Sequence, residues 1–113
     1  MATDATGTRS VHNTLTGTTV DTVTLQGTWA AVEVVNWDAS DTLWVTVGHQ
    51  VPGSVGLSNA EVPADPVASA NETFRVPAGT SLLIPLPNGA PVQPIVKILG
   101  DGGDYSVVGH PTA

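Results

Sequence analysis

Residues 29–47 read WAAVEVVNWDASDTLWVTV. Apolar residues alternate with polar ones on both sides of Asp38-Ala39-Ser40-Asp41, a run of turn formers. A period of two marks a half-buried strand, because successive side chains leave opposite faces of the pleat. Closed as a hairpin, the stretch sets Trp37 opposite Thr42, Asn36 opposite Leu43, Val34 opposite Val45 and Val32 opposite Val47. One face is then almost wholly apolar, and a slip of one residue would turn it to solvent.

The same reading extends outward. Val23 and Leu25 mark an earlier strand that stops at Gly27. Near the C-terminus, Gly100-Asp101-Gly102-Gly103 is a turn whose closure sets Ile98 opposite Tyr105 and Val96 opposite Val107. Asn88-Gly89, a strong tight-turn pair, sets Leu86 opposite Val92, Ile84 opposite Pro94 and Leu82 opposite Val96. Residues 72–76 add a short strand with Phe74 and Val76 inward. Residues 48–70, broken by Pro52, Pro63 and Pro66, form a long irregular excursion, a length that often serves function. Residues 1–17 are rich in Thr, Gly, Ser and Asn, with Val11 and Leu15 isolated. They read as an extended N-terminal arm that a partner would hold in place. Residues 18–113 form the domain: an all-β, two-layer antiparallel β-sandwich of seven to eight short strands, immunoglobulin-like or jelly-roll in connection.

Composition agrees. Val and Thr abound, and 12 Gly and 9 Pro punctuate the chain. At 113 residues the chain is long enough for one core. It has no Cys, so disulfides, thiolate metal sites and Cys nucleophiles are excluded. Lys and Arg number 3 against 10 Asp and Glu, a net charge of −7. Nucleic-acid binding needs clustered cations, and an acidic chain is repelled by anionic membranes, so neither partner is expected. No signal peptide is expected from the polar start.

The chemistry-bearing residues are scattered. His12, His49 and His110 fall in the arm, the long excursion and the tail, with no metal-ligand spacing between them. Asp101 and Asp104 flank two glycines, which suits a hairpin turn better than a calcium loop. The Ser54 region lacks one residue of a nucleophile elbow. Glu33 and Glu72 are the one carboxylate pair on strands that glycoside chemistry could use. No catalytic residue, metal or cofactor is assigned, and the chain is expected not to be an enzyme.

The tryptophans carry more. In the hairpin above, Val35, Trp37 and Trp44 share the face away from the core, with Trp37 and Trp44 diagonal neighbours. Trp29 has the same parity. Exposed apolar patches mark contact surfaces, and Trp is enriched at their centres. The face is a subunit interface, a sugar-stacking platform, or a surface covered by residues 48–70 or by the arm. Val11, Leu15, Trp29, Val35, Trp37 and Trp44 are the candidate interface residues.

The order of elements carries a resemblance. Val32-Glu33-Val34-Val35-Asn36 precedes Leu43-Trp44-Val45-Thr46-Val47. Phe74-Arg75-Val76-Pro77-Ala78-Gly79 and Ile84-Pro85-Leu86 follow, then Val96-Lys97-Ile98-Leu99-Gly100 and Tyr105-Ser106-Val107. Over about residues 29–108 the chain resembles small virion proteins of tailed bacteriophages that infect actinobacteria. Those proteins usually have a short Asp-Gly link with Pro-Thr after the second strand; here residues 48–52 and the excursion replace it. The resemblance implies a structural role, most simply a head decoration protein on the outer capsid surface, made in the host cytoplasm. Its partners would be the major capsid protein and copies of itself. A tail or baseplate component is the alternative, and a carbohydrate-binding β-sandwich module is the alternative from another class.

Overall fold

The computed structural model describes residues 4–50, 60–61, 63–67, 73–86 and 93–111. Among them are ten strands and no helix: β1 (Asp4–Gly7), β2 (Ser10–Thr14), β3 (Val20–Leu25), β4 (Ala31–Asn36), β5 (Leu43–Gln50), β6 (Ala60–Glu61), β7 (Phe74–Val76), β8 (Ser81–Pro85), β9 (Gln93–Leu99) and β10 (Asp104–His110). They form two sheets. The front sheet runs β2-β10-β4-β8; the back sheet runs β1-β3-β9-β5-β6, with β7 also on β5. The chain is an all-β sandwich.

Its connections decide between the two forms left open by the sequence. Count from β2 to β10 and let β6 and β7 share one position. The front sheet then holds the first, eighth, third and sixth positions, and the back sheet the second, seventh, fourth and fifth. That is the jelly-roll order of two interlocked Greek keys. β1 is an addition, paired in parallel with β3.

All three hairpins read from the sequence are therefore corrected. β4 and β5 lie in different sheets: Val34 faces Val107 and Leu82, while Val45 faces Ile98 and Phe74. Val96 faces Val23 and Val47, not Val107. Ile84 faces Val32, not Pro94. The Asn88-Gly89 turn lies outside the described residues, as do residues 51–59. The physical reason is general. Apolar residues that match in parity can meet side by side in a hairpin or face to face across a core, and the jelly roll uses the second arrangement throughout.

The described residues of the expected arm form strands that lie along the rest of the chain. β1 adds to the free edge of β3 and β2 to the free edge of β10. Gly7 turns the chain between sheets; a Cβ there would run into the Ser10 carbonyl and the Val11 side chain. Val11 and Leu15 are buried in the core, alongside Leu25, Val34, Leu43 and Ile98. A buried Val or Leu contributes about 1.5–3 kcal/mol, so these two isolated residues hold the arm without a partner.

Two polar residues enter the inward parity. Asp21, in β3, accepts a hydrogen bond of 2.9 Å from the Tyr105 hydroxyl of β10, tying the two sheets together inside the core. Burial, and then this carboxylate, push the Tyr105 hydroxyl well above the ordinary tyrosine range. Asn36 donates from Nδ2 to the carbonyls of Asp41 (2.8 Å) and Val76 (3.0 Å), and accepts from the Asp38 amide (2.9 Å).

Candidate functional site

The structure separates the candidate interface residues. Val11 and Leu15 are core residues, so they are not available to a partner. Trp29, between β3 and β4, packs its ring on Gly109, where a Cβ would come within 2.6 Å of it. Its Nε1 donates to the Gln26 carbonyl at 3.2 Å, and the Arg9 guanidinium lies 5.8 Å from the ring centre. Trp29 thus closes one end of the sandwich.

Val35 and Trp37 do share a face, the outer face of the front sheet. Trp44 does not join them; it stands on the back sheet, between Leu99 of β9 and Arg75 of β7. The single tryptophan surface expected from the hairpin does not form, because the hairpin does not.

Trp37 is 60% exposed, yet it is fixed. Its Nε1 donates to the Ser106 hydroxyl at 2.8 Å, and its backbone amide donates to the Asp104 carbonyl at 3.0 Å. The Ser106 oxygen also bonds His12 Nδ1 at 2.8 Å. Along the same face, His12, Ser106, Val35 and Ser81 form one row across the strands, and Ser10, Val108, Glu33 and Leu83 the next. Leu83 is 46% exposed. Sequence reasoning missed it, although Leu82-Leu83 signals it: of two adjacent strand residues only one can face the core. Glu33 pairs with His110 at 3.1 Å at the edge of this patch. Glu72, the other half of the carboxylate pair considered above, lies outside the described residues.

The outer face of the back sheet is partly covered by the chain itself. Residues 63–67 cross it, with the Thr46 hydroxyl bonded to the Ala64 carbonyl and Lys97 Nζ 3.0 Å from Asp65. Pro66 is buried within this crossing. The described part of the long excursion therefore covers the sheet that carries Trp44, not the face that carries Trp37. A groove of about 310 Å³ opens at one end of that sheet, lined by Thr18, Asp41, Thr42, Trp44, Leu99, Gly100 and Asp101.

Four connections gather at that end of the sandwich. Leu15 donates to the Gly103 carbonyl, Gly102 to Gly17, Trp37 to Asp104 and Asn36 to Thr80. Asp38 accepts from the Ser40 amide at 3.0 Å, and this bond holds its carboxyl below the usual carboxylate range. His49, assigned above to the excursion, instead sits buried near the end of β5. Among the described residues, no three His, Cys, Asp or Glu side chains are placed to hold a metal ion.

No family model matches the chain, and no curated protein matches it. Solved structures do resemble it. PirA aligns over 90% of this chain and 94% of its own with a TM-score of 0.53 and 14% identity. The Yersinia pseudotuberculosis-derived mitogen aligns over 92% and 86%, with a TM-score of 0.49 and 12% identity. PliG of Aeromonas hydrophila, a periplasmic inhibitor of g-type lysozyme, aligns over 94% and 97%, with a TM-score of 0.43 and 12% identity. At such identity the likeness to PirA concerns the fold alone, over nearly the whole of both chains.

Proposed function

We propose that the chain is a structural protein of a bacteriophage virion, a decoration protein that docks on the outer head shell through the outer face of its front sheet. It works by binding, without turnover. The carrying observation is Trp37: an indole 60% exposed but held by the Ser106 hydroxyl. Exposed Trp is a common centre of protein contacts. An indole already fixed loses little conformational freedom on docking, so more of the buried area appears as affinity. Leu83 extends the apolar part of the patch, and Ser106, Ser81 and Glu33 offer polar partners around it. The resemblance of residues 29–108 to virion proteins supplies the context. Copies of the chain would dock as a symmetric oligomer around capsid axes. The arm is not the attachment device, because its apolar residues are spent in the core.

The test is addition of purified protein to particles of the parent phage that lack it, read by cryo-EM. Density on the head is expected. Trp37→Ala, folded by circular dichroism, should lower occupancy about tenfold at limiting protein, the loss of roughly 1.4 kcal/mol or more that a central Trp contributes. Wild-type occupancy with both Trp37→Ala and Leu83→Ser would overturn the docking face. Density on the tail or baseplate would move the chain to that part of the virion.

A further inference from the structure

The end of the sandwich where the connections meet has a one-sided charge. Residues 15–19, 37–42, 77–80 and 100–104 contain Asp38, Asp41, Asp101 and Asp104 and no Lys, Arg or His. Asp38 and Asp104 serve the fold: Asp38 takes the Ser40 amide, and Asp104 takes the Thr14 hydroxyl. Asp41 and Asp101 instead line the groove beside Trp44.

We propose that this groove is a binding site for a guanidinium group, the side chain of an arginine presented by a partner protein. The groove is largely apolar, and two of the residue types such a group needs stand around it. Trp44 gives an aromatic wall, and a guanidinium stacks on indole more readily than a strongly hydrated ammonium does. Asp41 and Asp101 are acceptors only when ionised, which complements a group that only donates. Thr18 and Thr42 complete the rim. The volume, about 310 Å³, lies at the small end of the range for ligand pockets and suits one side chain rather than a folded segment. The net charge of −7 draws cations towards the molecule as a whole. A neutral sugar would use the indole but would gain nothing from carboxylates over amides at Asp41 and Asp101.

Two cations stand on the same face; Lys97 is paired with Asp65, and Arg75 is beside Trp44. Arg75 faces Trp44 across β7 and β5, on the side away from Leu99, and does not line the groove. It opposes an incoming guanidinium, so Arg75→Gln should tighten binding. The site is on a different sheet from Trp37, so its test is independent of the docking proposed above.

The experiment is an NMR titration of the full chain with N-acetyl-argininamide, N-acetyl-lysinamide and methyl glucoside. Saturable shifts at the Trp44 indole and the Asp101 amide are expected with the arginine probe, weaker with lysine and weaker in high salt. Asp41→Asn with Asp101→Asn, both isosteric, should weaken binding about tenfold or more while leaving the rest of the spectrum in place. Trp44→Leu should do the same. The proposal is overturned by no saturable shift, by shifts that survive the double Asn variant, by an equal response to lysine, or by a response to the glucoside alone.

Discussion

Asn36 stands at an inward position of β4, where parity calls for an apolar side chain. It is kept there by complete use of its amide, with both donors and the acceptor engaged at the corner between the sheets. Asn36→Ala would leave two carbonyls and one amide without that partner, and is expected to cost about 3 kcal/mol in urea unfolding. Tyr105 makes a pH-dependent contribution. Its hydroxyl keeps its proton to higher pH in the folded chain than in the unfolded one, where it ionises at about 10. The stability due to this shift is therefore fully present below about pH 10 and is lost as pH rises through the folded value. Tyr105→Phe should be less stable by about 1 kcal/mol at neutral pH but should lose the alkaline slope, as read by unfolding at a series of pH values. Asp38 acts in the opposite direction: its depressed carboxyl favours the fold above the ordinary carboxylate range and stops doing so as pH falls through its folded value. Asp38→Asn should flatten the acid side of the profile.

At the scale of elements, strands are legible in the sequence and their pairing is not. The alternation that marks β3, β4, β5, β9 and β10 in the sequence marks the same faces in the structure. Val32, Val34, Leu43, Val45, Val96 and Val107 all turn inward and are buried. What alternation cannot carry is the layer to which a strand belongs, since a core has two walls of equal apolarity. The arm shows the same limit. Val11 and Leu15 are too sparse to announce a strand, yet both are buried because β2 and the following turn run along an edge already prepared for them. Parity alone places Val35 and Trp37 on an outward face, and the structure agrees; only a hairpin would join Trp44 to them. Removal of residues 1–17 is expected to destabilise the domain by about 5 kcal/mol, from lost burial and two lost edge strands, a large part of the stability of a small protein. Thermal unfolding followed by circular dichroism would check this.

Across the whole molecule, the two proposed contact regions lie on opposite sheets, so one copy can engage a shell by its front face and still offer its acidic end to a neighbour. The order in which the sheets close is equally directional. β10 lies between β2 and β4, and β9 lies between β3 and β5, so an interior strand of each sheet is the last of its described strands to be made. Until they emerge from the ribosome, the described pairings left to the nascent polypeptide are β1 with β3, β4 with β8, and β5 with β6 and β7. Such scattered ladders cannot enclose a core, and non-local closure of this kind is slow. Both β9 and β10 must thus have emerged before folding can begin in earnest, and a product stopped short of β9 would present four raw sheet margins to every other unfinished copy around it.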